Sequence, residues 1–289
     1  MASSWDTFVP TNHHATYASI SENDPRLSCE GRVVFVSGGG RGVGRAITKS
    51  FAIAQAEGIV IVGRSEQHLQ ETVEEVTASI QTSQLKTKLL YYKVDILDTE
   101  AVSAAYKATI ASFGRIDVLI QNAGYLDEHR PIAESNLDDY WRCFEVNVKG
   151  ALNVIRGFLK TSPAAGATVI NVGSGAGHMS YIPGYSAYSA SKLSLAKIVE
   201  YVQHEHPQLR VFNINPGAIA TDMQAKAGDL AAMDDIGLPG SFCVWLASSG
   251  DADAFKGRFL WSNWDVDELI ERAHDIRSRN LLVHGLNGL

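Results

Sequence analysis

The stretch SGGGRGVG, residues 37–44, decides the fold of this chain. It follows the apolar, β-branched run RVVFV and opens the helical pattern GRAITKSFAIAQAEG, which ends at Gly58. Five of its eight residues are glycine, so the backbone can turn tightly and a ligand can approach without meeting a Cβ atom. A strand, a glycine loop and a helix in this order begin a parallel α/β sheet.

The same alternation continues outward from this loop. Short apolar runs, such as GIVIVGRS and IDVLIQNAG, are separated by stretches of helical spacing. Such strands are continuously apolar when helices cover both faces of a parallel sheet. We therefore predict an α/β fold: a single doubly wound Rossmann-type domain with a parallel sheet flanked by helices. The predicted parts are an N-terminal extension outside the core (1–30), the domain (31–262) and a C-terminal tail packed on the domain or on a partner subunit (263–289).

Bulk composition excludes several classes of protein. The 289 residues carry a formal net charge of −7 and no basic run, so nucleic acid is not an expected partner. The N-terminus does not resemble a secretory signal, and no apolar run approaches the about 20 residues that span a bilayer. The three cysteines are far apart, so we predict a cytoplasmic protein without disulfides. We predict no metal, because His204 and His206 are interpreted as solvated and His13 and His14 lack an obvious acidic partner.

The glycine spacing indicates a phosphate site. Gly38, Gly42 and Gly44 fit G-x-x-x-G-x-G, and a helix N-terminus at this place offers free N–H groups to a phosphate. The alternative is a glycine-rich turn with no ligand. The second strand ends in Gly63 and Arg64, where NAD-binding sites place an acid, and Arg41 lies in the loop. Two guanidinium groups predict NADP(H), since they can bind a 2′-phosphate; the alternative is that both are surface arginines.

From about Gly31 to Phe259 the sequence resembles the short-chain dehydrogenase/reductase family. The family's T-G-x-x-x-G-x-G is SGGGRGVG here, N-N-A-G is QNAG with Gln121 in the first position, and YSASK and PGAIAT follow in the family's order. The resemblance implies an enzyme that binds a nicotinamide cofactor. It places the cofactor on Gly38, Gly40, Arg41, Gly42, Val43, Gly44, Arg64, Asp95, Ile96, Asn122, Ala123, Gly124, Tyr188, Lys192, Pro216, Gly217, Ile219 and Thr221.

The catalytic residues are read from chemistry as well as resemblance. Tyr188 and Lys192 are four residues apart on a predicted helix and share a face. A phenol has a pKa of about 10, and we expect the Lys192 ammonium to lower it so that Tyr188 can exchange a proton near neutrality. Ser174 follows the preceding strand and can hold a carbonyl oxygen. The family implies that Lys192 also binds the nicotinamide ribose and that Asn147 supports a proton path. The rival tyrosines, Tyr181 and Tyr185, have no lysine four residues on.

The substrate side is predicted from three loops at the carboxyl edge of the sheet, residues 125–136, 175–184 and 220–237. The last has a helical pattern and is interpreted as a lid. The tail resembles fungal secondary-metabolite reductases, which favours a bulky ketone. An apolar pocket is predicted, or equally loop-to-core packing, for Met179, Tyr181, Ile182, Met223 and Met233.

Together these features predict an NADPH-dependent reductase of a ketone or aldehyde, working as a homodimer or homotetramer. Three alternatives remain open at this stage. The protein can run in the opposite direction as an alcohol dehydrogenase, it can use the same acid for a cyclisation or isomerisation, or it can bind NADPH as a sensor without turnover.

Overall fold

The computed structural model describes residues 8–81, 86–226 and 232–286. Its centre is a seven-stranded sheet in the order β3-β2-β1-β4-β5-β6-β7, and every neighbouring pair of strands is parallel. The predicted doubly wound α/β domain is thus confirmed. The strands are β1 (Val33–Ser37), β2 (Gly58–Gly63), β3 (Lys88–Lys93), β4 (Val118–Gln121), β5 (Thr168–Val172), β6 (Arg210–Asn215) and β7 (Phe259–Trp261).

Helices cover both faces of this sheet. Successive residues of a strand point to opposite faces, so Val34 and Val36 join one buried cluster and Phe35 joins the other. Helices α1, α2 and α8 pack on the first face, and α3, α5 and α6 pack on the second. The helices are α1 (Gly42–Ile53), α2 (Glu66–Gln81), α3 (Thr99–Phe113), α4 (Leu137–Phe144), α5 (Ala151–Leu159), α6 (Ser186–Glu205), α7 (Asp222–Lys226), α8 (Leu238–Ser248), α9 (Val266–Glu271) and α10 (Ala273–Ser278).

The strand order determines where a ligand can bind. Strand β1 lies between β2 and β4, so the chain leaves β1 toward one edge of the sheet and returns at β4 toward the other. The loops after β1 and β4 therefore diverge and leave a crevice at the carboxyl ends of the strands. The glycine loop and QNAG are the segments that follow these two strands.

The N-terminal segment differs from the expectation of an extension outside the core. Val9, Ile20, Leu27 and Cys29 are at most 5% exposed and belong to the same buried cluster as α1 and α8. An antiparallel bridge between Asn12 and Trp264 also joins the segment to the chain beyond β7. Its apolar residues are single and unevenly spaced, so no helix or strand periodicity marks them in the sequence.

The C-terminal tail holds two short helices, α9 and α10. Arg272, with φ −90° and ψ 0°, separates α9 from α10. The chain then turns back, so that Phe259 N donates to Leu282 O at 2.9 Å and His284 contacts Glu200 of α6. Within the described residues, no helix is both long and apolar enough to cross a membrane.

Candidate active site

The glycine loop after β1 is closed by backbone contacts that leave no room for side chains. Gly38 and Gly42 have φ values of +70° and +53°, in the region that favours glycine. A Cβ atom on Gly44 would lie 2.1 Å from Gly38 O, and one on Gly38 would lie 2.9 Å from Ala123 Cα. The glycines at these positions are therefore required by the packing of the loop itself.

The QNAG segment after β4 holds this loop in place. Asn122 Nδ2 donates to Gly38 O at 3.0 Å and to Ser37 O at 3.2 Å. Gln121, which stands where the family has asparagine, accepts from Ser37 Oγ at 2.8 Å and donates to Ala123 O at 3.1 Å. The oxygen of this amide thus binds the end of β1, and its nitrogen binds the chain after β4.

The first turn of α1 lacks a side-chain cap, as do those of α6 and α8, whereas α3 and α4 are capped. The N-cap residue of α1, Arg41, makes no side-chain cap hydrogen bond. The N-terminus of α3 is capped by the Asp98 carboxylate, and that of α4 by the Asn136 side chain. The first N–H groups of a helix need an acceptor, so the open turn of α1 suits an external anion such as a diphosphate.

The two arginines predicted to bind a 2′-phosphate have different surroundings. Arg64 is exposed at the end of β2. Arg41 forms an ion pair with Asp222 of α7 at 2.8 Å, with both side chains more than half exposed. The loop and the start of α2 are neighbours, since a Cβ on Gly40 would lie 3.3 Å from His68 Cβ. Both arginines therefore lie at the carboxyl edge of the sheet, near the glycine loop.

The remaining predicted cofactor residues border the same crevice or support it. Asp95 accepts from Leu97 N at 3.0 Å, while Ile96 is 6% exposed and packs beside Gly150. Val43 is partly buried against the core. Gly124 adjoins the catalytic side, because a Cβ there would lie 3.3 Å from Asn147 Oδ1 and 3.5 Å from Lys192 Nζ.

Ser174, Tyr188 and Lys192 come together as the spacing predicts. Ser174 follows β5, and its side chain interacts with that of Tyr188, which lies near the start of α6. Tyr188 is 9% exposed and Lys192 is 6% exposed. Lys192 Nζ lies 5.7 Å from the centre of the Tyr188 ring and donates to Val172 O at 3.1 Å.

The expected lowering of the Tyr188 pKa is wrong for this structure. Burial raises the pKa of Tyr188 to about 12, and the hydrogen bond with Ser174 only partly opposes it. Burial also lowers the pKa of Lys192 to about 8, because the ammonium leaves water. Desolvation is the main cause of both shifts, so at pH 7 Tyr188 is a neutral phenol and Lys192 is mainly charged.

Asn147 lies in an irregular turn between α4 and α5. The helix widens to a π-helical turn at Glu145–Gly150, a local feature common at functional sites. The Asn147 side chain accepts from Tyr125 N at 2.7 Å and donates to Tyr125 O at 2.8 Å and to Ser191 Oγ at 3.0 Å. Asn147 thus joins the chain after QNAG to the catalytic helix α6.

The predicted substrate residues fall into two groups. Ile182 and Met223 pack against the buried cluster that contains Tyr185 and Tyr188, so they line the catalytic side. Met179 packs on the main core, whereas Tyr181 is 87% and Met233 62% exposed. Part of the predicted lid, residues 227–231, lies outside the described residues.

The turn after β6 carries the last predicted cofactor residues. Pro216 and Gly217 follow β6 directly, and Ile219 is 5% exposed. A Cβ on Gly42 would lie 3.3 Å from Thr221 Cγ2, so this turn adjoins the glycine loop. Asp234 binds the turn through Ala218 N at 2.6 Å. Sequence reasoning missed Asp234, because the stretch AAMDDIG has no motif.

The acidic partners of the two N-terminal histidines were also missed. His13 Nε2 lies 2.8 Å from Asp265 Oδ2, and His14 Nδ1 lies 2.6 Å from Asp234 Oδ1. Both partners are more than 200 residues away in the sequence. Within the described residues, no three histidine, cysteine or acidic side chains are grouped as a metal ion would require.

Comparison with known proteins gives consistent matches. A family profile described as "short chain dehydrogenase" matches residues 32–231. A short chain dehydrogenase/reductase of Aspergillus aculeatus, AacuD, is 32% identical over 281 residues, covering 96% of this chain and 95% of that protein. The short chain dehydrogenase citE of Monascus ruber is 30% identical over 276 residues, covering 93% of each.

Solved structures share the fold. A mutant short-chain dehydrogenase/reductase of Serratia marcescens has 26% identity and a TM-score of 0.72, covering 81% of this chain and 96% of that one. A protein of Shigella flexneri, described as a short chain dehydrogenase complexed with NADP, has 21% identity and a TM-score of 0.74, covering 83% and 99%.

Proposed function

The chain belongs to the short-chain dehydrogenase/reductase family, and from that premise we propose that it is an NADPH-dependent reductase of a ketone or aldehyde. One observation carries the proposal. The side chains of Ser174 and Tyr188 interact beside the buried Lys192, at the same edge of the sheet as the glycine loop.

The residues at this edge suit a dinucleotide. The open first turn of α1 and Gly38–Gly44 would hold its diphosphate, and Arg64 with Arg41 would hold a 2′-phosphate. Asp95, Asn122 and the turn at Pro216–Thr221 would border its rings and riboses. When bound, NADPH supplies a hydride to the carbonyl carbon of the substrate.

The proton comes from the protein. Tyr188 is protonated at neutral pH, since its pKa is about 12, so it can donate to the carbonyl oxygen as that oxygen gains charge. Ser174 orients the same oxygen by a hydrogen bond. The Lys192 ammonium then stabilises the phenolate that remains. The hydrogen bonds of Asn147 with Tyr125 and Ser191 fix the position of α6, and a proton from solvent then restores the phenol.

Alcohol oxidation would use the same residues in reverse, with Tyr188 as the base, so the direction depends on the substrate and on the cofactor ratio. The intact set of Ser174, Tyr188 and Lys192 favours an enzyme over a sensor without turnover, and it leaves a cyclisation or isomerisation by the same acid as an outcome for assay.

The substrate and assembly are proposed from weaker features. A bulky secondary-metabolite ketone fits the resemblance to fungal reductases and the apolar residues Ile182 and Met223 beside Tyr188. Exposed Leu137 and Trp141 on α4 and Tyr201 on α6 support a homodimer or homotetramer. The three buried free cysteines agree with a cytoplasmic location.

The test is consumption of NADPH and NADH by the purified protein across ketones ranging from small diketones to polycyclic quinones. We expect ketone-dependent loss of NADPH, and we expect Tyr188→Phe to lower turnover at least about 100-fold with NADPH affinity nearly unchanged. Turnover retained in Tyr188→Phe would remove this tyrosine from the mechanism. NADPH binding without turnover on any ketone would shift weight to a sensor.

A further inference from the structure

Asp234 is a buried carboxylate bound by three separate parts of the chain. Its side chain is 3% exposed. Oδ2 accepts from Ala218 N at 2.6 Å, and Oδ1 accepts from His14 Nδ1 at 2.6 Å and from Asn263 Nδ2 at 2.9 Å. The turn after β6, the N-terminal segment and the chain after β7 therefore meet on one side chain.

The turn that Asp234 binds and the end of β6 before it contact both halves of the proposed active site. On one side, Thr221 adjoins Gly42 of the glycine loop. On the other side, Gly175 N, next to Ser174, donates to Asn215 Oδ1 at the end of β6, 2.9 Å away. A molecule bound from the glycine loop to Ser174 would therefore lie beside this turn.

The conformation of the turn depends on Asp234. Gly217 has a φ of +99°, and a Cβ atom there would lie 2.5 Å from Asp234 Oδ2, so the carboxylate occupies the space that a side chain would need. Backbone bonds from Met233 N and Asp234 N to Ala218 O, at 3.0 and 3.1 Å, complete the contact. An exposed proline-glycine turn without these bonds would sample several conformations.

The N-terminal segment holds Asp234 in turn. Asp235 N donates to His14 O at 2.7 Å, and Asn263 Nδ2 donates to His13 O at 3.0 Å. The titratable side chains at this junction are Asp234, Asp235 and His14, and Asp265 is bound separately by His13. Residues 11–17 therefore support the turn at Pro216–Thr221 through the Asp234 carboxylate.

We propose that Asp234, held by His14 and Asn263, is a positioning residue that sets the turn at Pro216–Thr221 for nicotinamide-cofactor binding. The inference rests on the proposed function, because it needs a cofactor at this edge. It makes the N-terminal segment a supporting part of the cofactor site, through the pair of His14 with Asp234.

The test compares two adjacent histidines. His14→Ala removes a pair whose aspartate holds the turn, whereas His13→Ala removes a pair whose aspartate, Asp265, caps α9. NADPH affinity is measured by titration of intrinsic fluorescence, and thermal stability is measured on the same samples. We expect about tenfold weaker NADPH binding in His14→Ala, as for loss of a charged hydrogen bond, and unchanged binding in His13→Ala.

A second variant separates positioning from loss of folding. Asp234→Asn places an amide N–H against one of the donors that bind the carboxylate, and it is expected to weaken NADPH binding more than His14→Ala does. Equal NADPH affinity in wild type, His14→Ala and Asp234→Asn would overturn the inference, as would affinities that follow thermal stability alone. Absence of nicotinamide-nucleotide binding by the wild type would instead overturn the proposed function.

Discussion

The two loops at the carboxyl edge of the sheet are built in different ways. The glycine loop after β1 requires the absence of side chains, since its backbone packs directly against other backbone atoms at Gly38 and Gly44. The loop after β5 leads to the side chains of Ser174, Tyr188 and Lys192, and burial shifts the pKa values of Tyr188 and Lys192. The first loop can bind a ligand through backbone N–H groups alone, whereas the second can exchange protons.

Among the changes that test this comparison, Gly44→Ala is expected to have the largest effect, because it disrupts the loop that is held by backbone contacts. The added Cβ would lie 2.1 Å from Gly38 O, a backbone atom that cannot move away cheaply. We expect a loss of about 2–3 kcal/mol in the free energy of unfolding and no measurable NADPH binding. Denaturant unfolding and a binding titration measure both.

Gly250→Ala is the matched control for this change. A Cβ there has nothing within 4 Å, so the same substitution should leave stability and NADPH binding close to those of the wild type. If Gly44→Ala bound NADPH as well as Gly250→Ala does, the loop would not be the diphosphate site.

The second prediction tests the burial of Lys192 in the loop region after β5. Burial lowers the pKa of Lys192 to about 8 from 10.5, so the unfolded chain binds more protons between these values and stability rises with pH. Tyr188, with its pKa raised from 10.0 to about 12, acts in the opposite direction only above pH 10. From pH 8 to 10 we expect wild type to gain stability relative to Lys192→Met, by up to about 1.4 kcal/mol per pH unit.

Unfolding by denaturant at several pH values measures this slope. Lys149→Met, which removes an exposed lysine from the turn that contains Asn147, is the control and should show the wild-type slope. Parallel pH profiles of wild type and Lys192→Met would mean that Lys192 is not desolvated as the structure indicates.

The third and smallest expected effect concerns cofactor choice at the glycine-loop side. Arg64→Ala should raise the KM for NADPH about tenfold and leave that for NADH unchanged, because only NADPH has a 2′-phosphate to accept from the guanidinium. Arg26→Ala, an exposed arginine already paired with Asp24, is the control. An equal change for both cofactors would assign Arg64 to stability or to the diphosphate.

Much of the fold and of the proposed site could be predicted from residue spacing. Tyr188 and Lys192 share a helix face whatever the surroundings, and glycine at 38, 42 and 44 marks a turn that tolerates nothing larger. The charge states could not be predicted, since they depend on how much water the folded chain removes from Tyr188 and Lys192. The expected lowering of the Tyr188 pKa considered the lysine and not its burial.

Long-range polar contacts were the other feature that could not be predicted from the sequence. His14 and Asp234 are 220 residues apart, and neither stands in a motif. The burial of Val9, Ile20, Leu27 and Cys29 likewise depends on surfaces made by α1 and α8.

By itself, the sequence determined the parallel α/β fold, the glycine loop and the order of the catalytic side chains, because these follow from local periodicity and from the steric demands of glycine. Only the tertiary structure decided the protonation of Tyr188, the place of the N-terminal segment in the core and the binding of the turn at Gly217 by Asp234. Burial and hydrogen bonding between distant segments exist only once the chain has folded, so no local pattern records them.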